Sequence, residues 1–405
     1  MRRDQWAVWA LSLGQTLGYA CFFYLFAALV LVWQRDLPFG HGLIAAGPFL
    51  AILVTAALSP MVGRWVDRGY ALRLMGGGTL LGAASLGLLA SSVSAVAFLV
   101  AFAGLGAAAA MTLYEVCFAL LIRRFGAEAR GAITRVTLVA GLASTLAFPA
   151  GAWLAASYGW RGAVWAACAV VVCAMLPAQI WGAHVLGGGR PPRSATRPPV
   201  AARWRDILAR PGAWRLMLLF GVINLQHWTL VNLLRPLFAD MGVAEGQAIL
   251  AASLIGPAQV IGRIALMGAG ARVSTNRATL GTMAGLVIAA LCLLAFYLAL
   301  PDIGAGEEGA PSAGPLAGLL LAFALVQGAS MGVVTILRPL LIADVNGPND
   351  YAAAAAALSL PAMAATAVSA VLGTWLLALG GALALLGVVL GLALFALALS
   401  FQQKA

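Results

Sequence analysis

The sequence predicts an all-α membrane protein with twelve transmembrane helices, in two similar halves of six. The prediction rests on the composition, the number of apolar runs and a similarity between the halves. Of the 405 residues, 63% are apolar and 9% are charged, whereas a soluble domain carries about 25% charged residues. A water-soluble chain of this length could not bury so much apolar surface, so we expect lipid to be the solvent. The first apolar run, after Arg2 and Arg3, is too long for a cleavable signal.

Twelve apolar runs of roughly 20 or more residues follow one another, and each is long enough to cross a bilayer. Charged residues, glycines or prolines separate them. They cover approximately 6–33, 42–62, 74–96, 98–122, 132–157, 162–186, 213–238, 246–268, 278–300, 314–342, 352–378 and 380–401. The boundary between the last two rests on a single turn signal, "LGG".

The distribution of arginine predicts the orientation. With the N-terminus inside, the cytoplasmic loops contain Arg64, Arg68, Arg73, Arg123, Arg124, Arg130, Arg272 and Arg277, in addition to the arginines between spans six and seven. The outer loops contain Arg35 and Arg161 with Asp36, Asp240, Glu245, Asp302, Glu307 and Glu308. This asymmetry follows the positive-inside rule, so we expect both termini in the cytoplasm. The net charge of +11 is then explained by the arginines of the cytoplasmic loops, which lie beside anionic lipid headgroups. We therefore expect no nucleic-acid partner.

A segment rich in glycine, proline and arginine divides the chain into six spans plus six. We predict an N-terminal bundle over 1–186, a cytoplasmic linker over 187–211 and a C-terminal bundle over 212–405. "PMVGRW" at the end of span two recurs loosely as "QVIGRI" at the end of span eight. "TLYEV" in span four aligns with "TILRP" in span ten, 223 residues later. These matches fall at equivalent spans, as an internal repeat requires.

The loop after span two, "GRWVDRGYALR", resembles the corresponding loop of the major facilitator superfamily. The residues that match are Gly63, Asp67, Arg68, Gly69 and Arg73. The second glycine comes one residue early, and Ala71 replaces a usual glycine or basic residue. "GWRGAVW" after span five also looks like this family, whereas the fourth span has an acid where many members have arginine. The exporter pattern of span five survives only as "GLASTLAFPAG", so the motifs do not decide between import and export.

The resemblance implies two pseudo-symmetric six-helix bundles around a central cavity that opens to each side in turn. It also implies that Gly63, Asp67, Arg68 and Arg73 control this conformational change. Gly63 lets two helices approach closely. Asp67 can accept hydrogen bonds from the backbone N–H groups of a neighbouring helix end, or pair with an arginine. The alternative is that Asp67 only caps its loop.

In the family that the chain resembles, spans one, four, seven and ten line the cavity. Three charges lie in these spans, Glu115, Arg235 and Arg338, and each costs at least ~2.5–3.5 kcal/mol at the bilayer centre unless it faces water, a partner or a ligand. Helical spacing places polar side chains on the same faces as the arginines. The candidate substrate-binding residues are Gln15, Tyr19, Asn224, His227, Arg235, Gln327 and Arg338. Alternatively, the two arginines extend to the headgroups.

Glu115 is the candidate proton-coupling residue. Burial raises the pKa of a carboxyl group and a facing arginine lowers it, so a moving partner would change its protonation. We expect Arg338, at the equivalent position of the other half, to be that partner in one state. The alternative is a fixed structural ion pair. His227, which is in mid-span, is predicted to titrate, to hydrogen-bond substrate or to be a packing residue.

These residues favour a secondary active transporter that moves a small organic anion by alternating access, coupled to protons. The alternative is a proton-driven multidrug-type exporter of amphipathic compounds. A membrane enzyme or sensor is disfavoured because the sequence has no phosphate loop and no GxSxG, and because His41, His184 and His227 lack metal-binding spacing. Five cysteines without a CxxC pair indicate neither disulfides nor zinc. We expect no cofactor or metal, and we expect the protein to be a monomer. Because Lys404 is the only lysine, we expect a GC-rich bacterial genome and the bacterial inner membrane.

Overall fold

A computed structural model describes residues 2–187, 200–300, 316–347 and 350–401 of the chain. Every regular element in these ranges is a helix. Eleven helical segments are long and apolar enough to cross a membrane, and one of them, Leu146–Val185, has 40 residues. A straight helix of that length would span about 60 Å, twice the hydrocarbon thickness. It is broken at Gly159, so it supplies the fifth and sixth of twelve crossings.

The described residues form two compact units, and the first consists of Met1–Ile207 with Asn346–Ala357. Its helices are α1 (Arg2–Tyr19), α2 (Leu25–Asp36), α3 (His41–Asp67), α4 (Ala71–Ala90), α5 (Ala95–Thr112), α6 (Tyr114–Phe125), α7 (Ala129–Ala140), α8 (Ala143–Val170), α9 (Leu176–Val185) and α10 (Val200–Ala209). A π-helical turn, Ala20–Tyr24, joins α1 to α2, and another, Val171–Met175, joins α8 to α9. Helix α10 lies in the predicted linker, where good helix formers such as alanine and arginine are frequent.

The second unit consists of Leu208–Val345 and Leu358–Ala405. Its helices are α11 (Ala213–Asp240), α12 (Glu245–Ala269), α13 (Thr275–Ala299), α14 (Ala317–Asn346) and α16 (Leu360–Phe401). The short helix between α14 and α16, α15 (Tyr351–Leu358), groups with the first unit over all but its last residue. Part of the predicted linker, residues 188–199, lies outside the described residues, so the predicted domain boundaries remain a prediction.

Glycines produce the same helix break in both halves. Gly159 has φ 71° and ψ 167°, and Gly381 has φ 60° and ψ −160°. Only glycine adopts this region of backbone space readily. The two positions are 222 residues apart, within one residue of the spacing of the sequence repeat. The second break coincides with the "LGG" turn signal, and Asp240 accepts a hydrogen bond from the backbone N–H of Ala382 there, at 2.7 Å.

Close helix contacts depend on small residues in both units. A Cβ atom on Gly106 of α5 would lie 2.3 Å from the carbonyl oxygen of Ala51 on α3. On α12, a Cβ atom on Gly262 would lie 2.1 Å from the carbonyl oxygen of Ala329 on α14. Lipid is as apolar as a leucine side chain, so close packing of backbones replaces the hydrophobic effect as the source of helix association. These glycines therefore permit the close approach of α5 to α3 and of α12 to α14.

Candidate functional site

The buried carboxylate of Asp67 joins α3 to the N-terminus of α15. Asp67 is 1% exposed and accepts hydrogen bonds from the backbone N–H groups of Ala352 at 3.3 Å and Ala353 at 3.0 Å. These are the first, otherwise unbonded donors of the helix, and the helix dipole favours an anion there. A Cβ atom on Gly63 would lie 2.5 Å from the carbonyl oxygen of Ala352, so glycine at 63 permits this approach.

Of the four predicted gating residues, Gly63 and Asp67 contact α15, whereas the two arginines do not share in this contact. Arg68 and Arg73 are exposed. The guanidinium of Arg73 lies 5.5 Å from the ring centroid of Tyr70, in its own loop. The hydrogen-bonding geometry that the sequence allowed for Asp67 is therefore present, and the role of all four residues in gating stays a prediction.

The fourth span is discontinuous next to Glu115. Helix α5 ends at Thr112, Leu113 has extended backbone angles (φ −82°, ψ −161°), and α6 begins at Tyr114. Glu115 is thus in the first turn of a new helix, where a carboxylate interacts favourably with the helix dipole. The half-buried Glu115 also lines a cavity with room for about one water molecule, together with Gly63 and Ala356.

The side chain of Gln15 supplies a hydrogen-bond donor to the carbonyl group at the end of α5, where the helix is interrupted. Its side-chain Nε2 donates a hydrogen bond to the carbonyl oxygen of Thr112 at 2.8 Å, and the residue is fully buried. Its Oε1 has no hydrogen-bond partner among the described residues. Nearby, the ring of Tyr19 lies 4.6 Å from that of Tyr114, which stacks on Phe118 at 4.7 Å. The structure therefore brings Gln15, Tyr19 and the span of Glu115 together in the first unit.

A buried amide pair in the second unit contacts His227. Gln226 and Gln327 are 1% and 0% exposed. The Nε2 of Gln226 donates to the Oε1 of Gln327 at 3.3 Å, and the Nε2 of Gln327 donates to the Oε1 of Gln226 at 3.1 Å. The same Nε2 of Gln327 lies 3.4 Å from the Nδ1 of His227. The structure thus places His227 and Gln327, two predicted site residues, in one hydrogen-bonded group.

Arg338 contacts protein groups within the second unit. The half-buried side chain of this α14 residue hydrogen-bonds the hydroxyl of Ser359, and its guanidinium lies 5.6 Å from the ring centroid of Phe220 on α11. The Nδ2 of Asn224 donates to the carbonyl oxygen of Phe220 in its own helix at 2.8 Å, and its contact with substrate stays a prediction. Arg235 is part of α11, but its side chain lies outside what the structure describes.

Sequence reasoning left Gln226 out of the candidate site and overlooked Arg263. Arg263 is 5% exposed on the membrane-spanning α12. Its guanidinium donates to the carbonyl oxygen of Gly332 and to the side chain of Gln259, both at 3.4 Å. The sequence does contain a signal for Arg263, because a charged residue within the apolar run of span eight needs a polar partner. The stretch "QVIGRI" indicated only the internal repeat.

Two units of membrane-spanning helices that bury carboxylate, guanidinium and amide groups are typical of a multi-pass membrane transport protein. The family model of the Major Facilitator Superfamily matches residues 11–306. This is more than half of the chain, and the chain belongs to the major facilitator superfamily. No curated protein matches the sequence.

Two solved structures share the fold over nearly the whole chain. The crystal structure of the human organic anion transporter MFSD10 (TETRAN) has a TM-score of 0.70 at 17% identity, covering 98% of this chain and 99% of that one. The crystal structure of a bacterial homologue of the iron transporter ferroportin, in an outward-facing state, has a TM-score of 0.70 at 15% identity, covering 99% of both chains. The predicted all-α, twelve-helix fold is confirmed.

Proposed function

We propose that this protein is a secondary active transporter that moves a small organic anion by alternating access, coupled to protons. The observation that carries the anion assignment is Arg338, a permanently charged residue within a membrane-spanning helix. Its guanidinium is fixed by Ser359 and by the face of Phe220. A positive charge held within a low-dielectric bundle attracts a carboxylate or phosphate more strongly than the same charge would in water.

The neutral polar groups of the same unit support this assignment. Gln226, His227 and Gln327 provide buried hydrogen-bonding groups that orient a polar ligand without adding negative charge. Of the two structural neighbours, one transports organic anions and the other is a homologue of an iron transporter. The fold therefore leaves the substrate open, and we base the proposal of an anion on the chemistry of these side chains.

Glu115 is proposed as the proton-coupling residue. It is half-buried in the first turn of α6 beside a water-sized cavity, and a water molecule in that cavity would be its nearest proton donor. The cavity also touches Gly63 and Ala352, so it adjoins the contact between Asp67 and α15. We propose that the contact between Asp67 and α15 is released during transport, and protonation of Glu115 would alter the charge next to this contact.

A thermal-shift screen of metabolites and drugs on the purified protein would identify ligands, and transport would then be measured in proteoliposomes. We expect Glu115→Gln to retain counterflow of a labelled substrate and to lose accumulation driven by a proton gradient. We expect Arg338→Gln to weaken anion binding by about 10- to 150-fold, from the loss of ~1.5–3 kcal/mol of charge-assisted bonding. Arg277→Gln, at an exposed arginine of the same unit that has no proposed role in binding or gating, is the control. Unchanged anion binding by Arg338→Gln would contradict the substrate class, and unchanged accumulation by Glu115→Gln would contradict the coupling role.

One observation favours the second candidate, a proton-driven multidrug-type exporter of amphipathic compounds. Tyr19, Tyr114 and Phe118 form a row of contacting rings next to Glu115. An acid beside aromatic rings is suited to an amphipathic cation. Stabilisation of the protein by cationic drugs and not by organic anions in the same screen would favour this function.

We also propose a membrane location, an orientation, an oligomeric state and a set of partners for the protein. We propose that it resides in the bacterial inner membrane with both termini in the cytoplasm, acts as a monomer, and has protons, lipid and a small molecule as its partners. The family and the structural neighbours point to a transporter rather than an enzyme. We propose that transport requires no cofactor or metal. Reagent labelling of cysteines introduced at Arg68 and at Val93, on predicted opposite sides, tests the orientation.

A further inference from the structure

We infer that His227 is a neutral hydrogen-bond donor to the substrate, held in one tautomer by the amide pair Gln226–Gln327. This inference rests on the proposed function for the identity of its ligand, an organic anion. It assigns His227 to substrate contact rather than to proton transfer, and it makes Gln226 and Gln327 positioning residues. The tautomer of His227 depends on which of its ring nitrogens already accepts a hydrogen bond.

The Nδ1 of His227 is occupied by an amide donor. The Nε2 of Gln327 lies 3.4 Å from it and carries two hydrogens, one of which is directed to the Oε1 of Gln226 at 3.1 Å. An amide nitrogen can only donate, so the Nδ1 of His227 must accept. The imidazole then carries its proton on Nε2. A doubly protonated ring would set an N–H group against another N–H group and lose this bond.

The second amide fixes the orientation of the first. Gln226 accepts from the Nε2 of Gln327 and donates to its Oε1, so a rotation of one amide alone would oppose like atoms at 3.1 and 3.3 Å. Both glutamines are almost completely buried, where an unmatched polar group costs about 1–3 kcal/mol. Their pairing therefore couples the two amides, so that the atom that Gln327 directs to His227 changes only if both amides turn together.

The Nε2–H of His227 remains for a ligand. Within the described part of the chain, the Nδ1 contact is the only hydrogen bond of this ring, and His227 is 7% exposed. An acceptor that binds this N–H group forms its hydrogen bond inside a membrane-embedded bundle, where water competes for the donor less than in bulk solvent. A carboxylate oxygen is such an acceptor, and it matches the positive charge that Arg338 places on the same unit.

Nitrogen-15 NMR of labelled histidine in nanodiscs at neutral pH tests the tautomer without any substrate. There are three histidines, and loss of one signal in His227→Asn identifies His227. We expect the neutral Nε2–H form; the Nδ1–H form or a doubly protonated ring would overturn the inference.

Gln327→Glu replaces the donor by an acceptor and should move the proton to Nδ1. Gln226→Leu should give mixed tautomers, whereas Asn224→Leu, on the same helix, should not. An unchanged His227 signal in both glutamine variants would overturn the positioning role.

Benzoate and succinate serve as probes for the ligand. A bound anion should shift the Nε2–H signal of His227. In His227→Asn, the shorter amide reaches only the Nδ1 position. This variant should therefore bind roughly tenfold more weakly, as expected for a lost hydrogen bond to a charged group. His227→Gln, whose amide reaches the Nε2 position, should bind within about threefold of wild type. Binding that leaves the His227 signal unmoved would overturn this inference alone. If neither probe stabilises or binds the wild type while the Nε2–H form is present, the anion assignment of the proposed function is overturned and the tautomer stands.

Discussion

Substitution of Gly63 by alanine should release α15 from α3. The added Cβ atom would lie 2.5 Å from the carbonyl oxygen of Ala352, and ordinary contact begins at 3.4 Å. The two backbones would therefore have to separate by about 0.9 Å. A separation of that size would stretch the bonds from Ala352 and Ala353 to Asp67, now 3.3 and 3.0 Å, beyond hydrogen-bonding distance.

The expected magnitude follows from these two bonds. A hydrogen bond to a charged group contributes about 1.5–3 kcal/mol to stability. The Asp67 side chain can follow part of the movement, so we take the loss as that of one bond rather than two. A loss of ~1.5–3 kcal/mol raises the population of the released segment by about 10- to 150-fold. Asp67→Asn, which removes the charge and keeps the shape, should have an effect in the same range.

Thiol labelling at position 356 measures this release. Ala356 is 4% exposed and lines the cavity beside Gly63, so Ala356→Cys should react only when α15 leaves α3. The five native cysteines are all free and are first replaced. The labelling rate follows the open population when reclosing is fast. Gly42→Ala, in the same helix and facing open space, is the control. Equal labelling of the Gly63 and Gly42 variants would refute the reasoning.

Two further predictions concern stability in detergent, measured by thermal unfolding. Gly262→Ala should destabilise the protein by about 1–3 kcal/mol, because its Cβ atom would overlap the backbone of α14; Gly256→Ala, on the same helix without neighbours within 4 Å, should not, and equal melting would contradict the packing argument. Gln15→Leu should cost about 1–3 kcal/mol, because the carbonyl of Thr112 loses its donor at the helix break. Gln5→Leu, at an exposed position of α1, is its control, and a Gln15 variant that melts with the control would show that the bond does not matter.

The sequence predicted the membrane spans because apolar length is a property of composition alone. The contact partner of Asp67 could not be predicted from composition or local pattern. A glycine followed four residues later by an acid indicated a close helix approach and an N–H acceptor, but nothing in the sequence of α3 identified α15 as the neighbour. That pairing joins residues 285 positions apart, and it depends on packing that no local pattern records.

Helix irregularities limited the prediction of the site. A regular spacing of 100° per residue would put Gln15, Tyr19, Phe22 and Phe26 on one face of span one, but a π-helical turn covers Ala20–Tyr24 and adds a residue to that turn. Phe22 belongs to the apolar core of the first unit, and Phe26 packs against that core. The break at Leu113 was equally hidden, because "MTLYEV" contains neither proline nor glycine and hydrogen bonding from Gln15 supports it.

The two halves use the same Gly-Arg pair differently, and the sequence shows why. Because Gly63 and Gly262 have no side chain, the backbone of another helix can contact each of them. That helix is α15 at Gly63 and α14 at Gly262. Four residues after the first glycine stands Asp67, which binds a helix N-terminus; four residues after the second stands Leu266, which is 7% exposed and cannot accept a hydrogen bond. Among the described residues, the carboxylate contact therefore exists in one half of the repeat only. Beside Gly262, the guanidinium of Arg263 donates to the carbonyl oxygen of Gly332 on α14, and it keeps its charge. Gly63 adjoins the carboxylate of Asp67 instead, and a contact made by a carboxylate is one that ligand or proton binding nearby is able to change.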